Sequence, residues 1–191
     1  MADQGQVKTG ELDAQGEVRR RLALAQIRQY PDPVLRLQAR KVEDFDGDLE
    51  QLVGRMMRLM VDARGVGLAA NQVGVLRRVF VLQADEDEDP RALVNPTIVE
   101  RSDEQDSDDE GCLSLQGVVV PVERSLRIRL EASDEKGEPV ELELEGLAAR
   151  VAQHEVDHLD GVLIVDRTTS EGRREALSVL RQAAGAPQAV S

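Results

Sequence analysis

The two histidines of this chain, which are its only ones, lie four residues apart in a single short segment. The segment reads Gln153-His154-Glu155-Val156-Asp157-His158. Residues four apart share one face of an α-helix, so both imidazoles can bind one metal ion while Glu155 stands beside it as a base. Leu147 and Val151 continue that face as an apolar stripe. The spacing therefore predicts a helix that faces a core and carries a metal site.

The segments upstream of this helix predict antiparallel strands. Residues 140–145 alternate apolar and acidic side chains, and residues 126–130 alternate apolar side chains with arginines. Turn residues at 134–137 join the two into a hairpin that leads into the helix. Further strands are predicted at 79–82 and 92–94, and helices at 49–60 and 170–182. The predicted fold class is α+β, with antiparallel β-sheets packed around the central His-Glu-x-x-His helix and with an N-terminal and a C-terminal helix.

The only cysteine offers a third metal ligand. Cys112 lies in the segment Glu110-Gly111-Cys112-Leu113-Ser114, at the end of an acidic run. A catalytic metal usually takes three protein ligands and keeps one position for water. A lone thiol among carboxylates is a poor free nucleophile, whereas a bound dication stabilises its thiolate. Two alternatives stay open, a buried structural cysteine and a catalytic thiol with His154 as its base.

A glycine-rich segment follows the predicted helix at residues 49–60. It reads Gly65-Val66-Gly67-Leu68-Ala69-Ala70-Asn71-Gln72. Two glycines around one small apolar residue let the backbone approach another backbone or a ligand closely. Taken alone, the segment is typical of a tight turn without a ligand. It does not match a dinucleotide-binding fingerprint, because it lacks the third glycine and a strand leading into it.

Together the three segments resemble the peptide deformylase family. That family has a glycine-rich segment ending in Ala-Ala-x-Gln, then Glu-Gly-Cys-x-Ser, then a His-Glu-x-Asp-His helix. The same order stands here at 65–72, 110–114 and 154–158, and the resemblance extends from about Ile27 to about Arg167. One departure concerns an arginine that many bacterial members carry beside a proline after the cysteine segment, where it can pair with the glutamate. Here Val122 follows Pro121, and Arg124 is the nearby candidate for that role.

The resemblance implies a hydrolase that removes the formyl group from the N-terminal formylmethionine of new polypeptides and releases formate. It assigns the metal to three residues and proton transfer to Glu155. The implied metal ligands are Cys112, His154 and His158. The tetrahedral oxyanion would be stabilised by the backbone N–H of Leu113 and the side-chain amide of Gln72. Val66, Gly67, Leu68 and Gly111 would border the extended substrate, as in strand addition.

The identity of the metal has two candidates. The resemblance implies Fe²⁺, one per chain, and we expect this cation. Zn²⁺ is the alternative, because cysteine and histidine ligands suit it and it competes strongly for such sites.

Composition limits the partners and the organisation of the chain. A net charge of −13 and an aromatic content of 2% argue against general nucleic-acid binding. No apolar run reaches the length of a membrane span, and a single cysteine excludes an intrachain disulfide and agrees with a reducing cytoplasm. We expect a cytoplasmic monomer that binds neither DNA nor membrane. Residues 1–20 are expected to form a disordered extension, 21–184 a single catalytic domain and 185–191 a flexible tail.

Two other functions are compatible with parts of this pattern. A zinc endopeptidase would share the histidine helix but usually takes its third ligand downstream, where this chain has no histidine. A non-catalytic binding module would not need every catalytic position filled.

From Arg167 onward the chain has four arginines against two glutamates. This basic end could orient an acidic enzyme towards ribosomal RNA in a transient contact, and an ordinary solvated helix is the other interpretation.

Overall fold

The computed structural model describes residues 13–85 and 87–185. Five α-helices and seven strands occur in this part of the chain. The helices are α1 (Ala14–Leu24), α2 (Gly47–Asp62), α3 (Gly146–Leu159), α4 (Ile164–Arg167) and α5 (Ser170–Gly185). The strands are β1 (Gly67–Ala69), β2 (Val79–Leu82), β3 (Arg91–Arg101), β4 (Gln105–Gly111), β5 (Val119–Ser125), β6 (Arg127–Ser133) and β7 (Pro139–Glu145).

The strands form two antiparallel sheets. The larger sheet has the order β1-β2-β3-β6-β7, and the smaller one pairs β4 with β5. The hairpin β6–β7 is the one that the alternating pattern predicted, and Gly137, with φ of 89°, adopts the left-handed conformation in its turn. Strand β1 lies at an edge of the larger sheet, so one side of it does not pair within that sheet. This edge adjoins the helix that carries the histidines.

Helix α3 is the central element of the fold. It contacts β1 and β2 of the larger sheet and β5 of the smaller one, and all its residues from Ala149 to Leu159 are buried. Gly146 has a φ of 57°, which permits the sharp change from β7 into the helix. The Gln153 side chain donates to the carbonyl of Ser125 at 2.9 Å and accepts from its N–H at 3.2 Å. The predicted fold, antiparallel sheets around this helix, is confirmed.

Helix α2 covers the other side of the larger sheet. Its apolar face buries Leu49, Val53, Met56, Leu59 and Met60, which are the positions that the helical spacing selects. Asp46 caps its first turn by accepting a hydrogen bond from the Leu49 N–H at 3.0 Å. No helix within residues 13–85 and 87–185 is both long and apolar enough to cross a membrane.

The structure corrects two predicted boundaries. Residues 14–20 belong to α1 and are not disordered, because Asp13 caps this helix and its last two residues, Ala23 and Leu24, are buried in the core. Gly185 is the last residue of α5 instead of the first residue of a flexible tail. The rest of the predicted extension, residues 1–12, and the rest of the tail, residues 186–191, lie outside the described residues.

Candidate metal centre

Three buried side chains converge between the smaller sheet and α3. Cys112, His154 and His158 have exposed fractions of 3%, 2% and 1%. Their potential ligand atoms all lie within 4.8 Å of one another, and the Sγ of Cys112 is 3.3 Å from the Nε2 of His158. The structure thus brings together the three residues predicted as metal ligands.

The cysteine is held by a turn that follows β4. The Ser114 N–H points to the Cys112 sulfur at 3.4 Å, and the Leu115 N–H donates to the Cys112 carbonyl at 3.1 Å. The segment after α1 anchors this turn from outside. The Gln29 side chain donates to the Leu113 carbonyl at 3.0 Å, and the Tyr30 N–H donates to the Ser114 carbonyl at 2.9 Å. The position of the sulfur is therefore fixed by residues distant in sequence.

The donor set fits a metal ion. The Nε2 of His154 is buried and has no hydrogen-bond partner among the residues that the structure describes. Burying such a nitrogen without a partner is unfavourable, and coordination to a metal would satisfy it. Tetrahedral bonds of about 2.0–2.3 Å place ligand atoms roughly 3.5 Å apart, close to the observed sulfur–nitrogen separation. Cys112, His154 and His158 would hold the ion.

Glu110 orients the first histidine. Its Oε2 lies 3.0 Å from the Nδ1 of His154, which leaves Nε2 for the metal. Arg124 donates to both oxygens of this carboxylate at 2.9 and 3.0 Å, and Arg150 donates to one of them at 2.9 Å. Burial alone would raise the pKa of Glu110, but His154 and Arg124 hold it well below its ordinary value. Glu110 therefore remains a carboxylate in the core.

Arg124 takes the place in which the sequence departs from the family pattern. Val122 and Arg124 lie two residues apart on β5, and both are buried while Glu123 between them is exposed. Successive side chains of a strand point to opposite faces, so a shift of two residues keeps the arginine on the same face. From position 124 the guanidinium reaches Glu110, with its Nε 2.9 Å from the Oε1 of the carboxylate.

The network continues from Arg124 to the surface. Arg124 donates to the Oδ2 of Asp157 at 2.6 Å. Arg167, whose side chain is 49% exposed, donates to the same carboxylate at 3.0 and 2.5 Å. Two carboxylates and three arginines thus form one connected ion-pair network behind the histidine, because Arg150 also contacts Glu110.

The pKa values of the two histidines are shifted in opposite directions. Burial lowers the pKa of His154, but the neighbouring Cys112 sulfur and Glu110 carboxylate raise it to about 10. Burial and repulsion from His154 lower the pKa of His158 well below its ordinary value.

Gln72 and Glu155 both lie at the centre. Gln72 is fully buried, accepts the Ala69 N–H at 2.9 Å and donates to the Ser114 hydroxyl at 3.0 Å. Its Nε2 is 3.7 Å from the Cys112 sulfur, so its amide faces the metal site. Glu155 is also fully buried, one residue after His154 on α3.

The four residues expected to border the substrate occupy the margin of this site. Val66 and Leu68 are fully buried and their side chains pack in two different core clusters, so only their backbone can meet a peptide. Gly67 begins the edge strand β1, and a Cβ atom there would collide with the Glu155 carboxylate. Gly111 lines a cavity together with Cys112 and Leu113.

The sequence did not reveal several supporting residues. Arg150 lies four residues before His154, and this spacing was a usable signal for a residue on the same helical face. Asp157 was visible inside the histidine motif without an assigned partner. Asn71, whose side-chain amide donates to the His158 carbonyl, had no recognisable signal beyond its place in the glycine-rich segment.

The arrangement is typical of metal-dependent hydrolases of the His-Glu-x-x-His type, because two potential metal ligands and a carboxylate share one buried helix. Comparison with known proteins makes the class specific. The family model for polypeptide deformylase matches residues 24–174. The chain belongs to the peptide deformylase family, whose function is the metal-dependent removal of the formyl group from N-formylmethionyl peptides.

Individual relatives agree with this membership. A peptide deformylase from Acidothermus cellulolyticus is 48% identical over 169 residues, which cover 88% of this chain and 92% of the relative. The crystal structure of peptide deformylase from Thermotoga maritima superposes with a TM-score of 0.72 at 48% identity, over 75% of this chain and 96% of that one. The crystal structure of the enzyme from Thermus thermophilus gives a TM-score of 0.77 at 45% identity, over 82% of this chain and 93% of that one.

Proposed function

We propose that this chain deformylates N-formylmethionyl peptides in the cytoplasm through Glu155, Gln72 and Leu113, with Fe²⁺ as the resident metal. The observation that carries the proposal is the buried cluster of Cys112 and the two histidines, with its orphaned His154 nitrogen. When bound, the cation would supply Lewis acidity that makes hydroxide available from water near neutral pH.

Glu155 moves the proton. It takes a proton from the attacking water and delivers it to the amine nitrogen as the carbon–nitrogen bond breaks. Water adds to the formyl carbon, and formate and a free amino terminus are the products. Burial beside Gly67 keeps the carboxylate close to the edge strand along which the substrate would lie.

Gln72 and Leu113 stabilise the oxyanion. The Gln72 amide is aimed at the centre because its oxygen is engaged by the Ala69 N–H, which leaves Nε2 on the side of Cys112. The Leu113 N–H follows directly after the cysteine. Losing one donor of this kind typically costs about 3 kcal/mol of activation free energy.

The peptide backbone would extend β1. Val66, Gly67 and Leu68 offer an edge strand, and Gly111 offers the opposite margin without a side chain. Main-chain hydrogen bonds of this kind accept many sequences. The site would therefore act on formylated chains of varied sequence.

The first prediction tests the role of Glu155. Glu155→Gln should keep the metal and lower kcat for formate release from formyl-Met-Ala-Ser by about three or more orders of magnitude, because the base is lost while size is retained. Metal content after anaerobic purification is the control. Near-normal turnover would remove Glu155 from the mechanism.

The metal is tested separately. Apoprotein reconstituted anaerobically with Fe²⁺ should turn over faster than apoprotein reconstituted with Zn²⁺, and protein isolated without oxygen should contain iron. Equal rates with iron absent from the isolated protein would assign the site to zinc. Intact peptide bonds in the product, checked by mass spectrometry, distinguish deformylation from endopeptidase activity.

The ribosome is proposed as a transient partner through α5. Ala176 packs this helix on the core and leaves Arg173, Arg174 and Arg181 exposed. Arg173 and Arg174 lie 3.6 and 3.5 Å from carboxylates of Asp166 and Glu171, whereas Arg181 has no ion pair within the described part of the chain. Arg181→Ala should weaken co-sedimentation with ribosomes at low salt. A second variant is a chain that ends at Thr169 and therefore lacks α5. If both variants bind ribosomes as well as the full protein does, α5 has a structural role only.

A further inference from the structure

A cavity of ≈ 260 Å³ lies beside the metal centre, and α1 forms part of its wall. Arg20 and Leu24 line it together with Gly111, Cys112, Leu113 and Gln116. When the formyl group of a substrate reaches the metal centre, the rest of the peptide must find room near Cys112. This cavity adjoins the cysteine on the side of α1.

A second hollow continues the first along α1. It has a volume of ≈ 410 Å³ and shares Arg20, Leu24 and Gln116 with the cavity at Cys112. An extended peptide advances about 3.3 Å per residue, so a few residues beyond the formylmethionine suffice to reach along the helix. Arg20 borders both spaces.

Helix α1 stands almost entirely outside the region that defines the family. The family model begins at residue 24, whereas α1 spans Ala14–Leu24. The helix is nevertheless fixed against the catalytic turn, because Ala23, Leu24 and Leu113 belong to one core cluster. The wall that it provides lies before the range that the family model matches.

The charge of Arg20 is available to a ligand. Its side chain is half-buried, and no ion pair or hydrogen bond of it occurs within residues 13–85 and 87–185. Arg21 lines the second hollow as well, and among the described residues Glu17 is the only acidic one that lines either space. This makes the mouth of the cleft cationic on a chain whose net charge is −13. A carboxylate on the peptide would meet a partner there, and an ammonium group would be repelled.

We propose that Arg20 is a specificity-determining residue that binds a carboxylate of the peptide downstream of the formylmethionine. The inference rests on the proposed deformylase function and adds a preference for acidic over basic peptides. An aspartate or glutamate side chain and the C-terminal carboxylate of a short peptide offer the same chemistry. On a chain still being synthesised, only the side chains are available.

The test compares kcat/KM for formyl-Met tetrapeptide amides that carry Asp, Asn or Lys at one of the three downstream positions. The wild-type chain should prefer Asp over Lys by about two- to fivefold at one position at least, the range of a solvent-accessible ion pair. Arg20→Met, which keeps the apolar stem, should abolish this preference mainly through KM, and Arg20→Lys should retain it. Raising the salt concentration should reduce the preference in the wild type.

Arg19→Met is the matched control, since Arg19 is exposed on the same helix and lines neither space. It should leave the Asp-to-Lys ratio unchanged. Peptides with a free C-terminus instead of an amide separate the terminal carboxylate from side-chain carboxylates. A wild-type ratio of one at every position, or a ratio that persists in Arg20→Met, would overturn the proposal. Formate release from the Asn peptides reports on the deformylase function independently.

Discussion

At the scale of single residues, the centre depends on buried charges that compensate one another. Glu110 has an exposed fraction of 0% and Arg124 one of 6%. Their two parallel hydrogen bonds hold the carboxylate against His154, and Asp157 holds the arginine from the other side. An unpaired charge at such a depth costs several kcal/mol, so each member requires the others. This network fixes the Glu110 carboxylate, which in turn orients the His154 ring.

Gln72 provides a prediction that separates oxyanion stabilisation from folding. Gln72→Glu keeps the oxygen that accepts the Ala69 N–H but replaces the Nε2 donor with an acceptor. We expect kcat to fall by about 100-fold or more while KM changes little, because the lost donor meets charge that exists mainly in the transition state. Steady-state kinetics with formyl-Met-Ala-Ser measures both constants. A change confined to KM would make Gln72 a substrate-positioning residue instead.

Gly67 provides a prediction about close approach. In Gly67→Ala the new Cβ would collide with the Glu155 carboxylate and lie 2.7 Å from Cγ1 of Val151, both on the rigid helix α3. We expect a loss of about 1–3 kcal/mol in the free energy of unfolding and a fall in kcat, because Glu155 must move. Urea unfolding and steady-state kinetics measure the two effects.

Gly54→Ala is the matched control for this change. A Cβ at position 54, within α2, would meet only the Nη1 of Arg58 at 3.5 Å. Alanine favours the helix over glycine, so this variant should be more stable by about 0.5–1 kcal/mol with unchanged kcat. Equal stability losses in the two variants would contradict the steric explanation.

At the scale of elements, the short helix α4 depends on one carboxylate. Asp166 accepts the Leu163 N–H at 2.9 Å and pairs with Arg36, thereby joining the helix start to the segment near residue 36. Burial raises the pKa of Asp166, but these contacts lower it more, so that it lies below the ordinary value of 3.8. Because the folded pKa is depressed, this stabilisation is complete above pH 3.8 and is lost as the pH falls through the folded pKa.

Asp166→Asn should therefore lower stability only where the wild-type group is charged. We expect a loss of about 0.5–1 kcal/mol at pH 7, or roughly 1–4 °C in Tm, since solvent screens much of the ion pair. The difference between the two proteins should shrink as the pH falls from 4 to 2, measured by calorimetry. Glu143→Gln, which changes an exposed carboxylate on β7 without an ion pair among the described residues, should show no such dependence. A constant difference at all pH values would contradict the electrostatic origin.

At the scale of the whole molecule, the metal site joins two parts of the core. Cys112 packs in one apolar cluster with β5 and α4, whereas α3 contributes its apolar face to another cluster with the larger sheet. A cation bound by Cys112 and the two histidines would link these clusters in the folded state only. Its removal should therefore act on global stability as well as on turnover.

A metal at a free concentration of about 1,000 times its Kd stabilises the folded state by roughly 4 kcal/mol. Removing it with a chelator should therefore lower the Tm of the protein by about 10 °C. Differential scanning calorimetry before and after dialysis against a chelator, in the absence of oxygen, measures this shift. Readdition of the metal should restore the Tm, and Cys112→Ser should show a smaller shift because it loses a thiolate ligand. An unchanged Tm after verified metal loss would show that the site does not stabilise the fold.

The sequence by itself determined the local elements and the ligand set. Helical spacing placed His154 and His158 on one face of α3, and strict alternation predicted the hairpin β6–β7, because both patterns depend only on neighbours along the chain. The single cysteine left one candidate thiol. The strand β4 escaped prediction, since its acidic run has no strand propensity and is ordered only by pairing with β5.

Only the tertiary structure decided what surrounds the site. Arg124 was one candidate for the partner of Glu110, and Arg150 and Asp157 joined it because the packing of β5 on α3 brings their side chains within hydrogen-bond distance. Nor does any local pattern place α1, with Arg20, beside the cavity at Cys112. A buried charge takes whichever opposite charge the fold brings near, and the fold depends on contacts between residues far apart in sequence. Spacing along the chain determines which side chains share a face, and packing determines what that face meets.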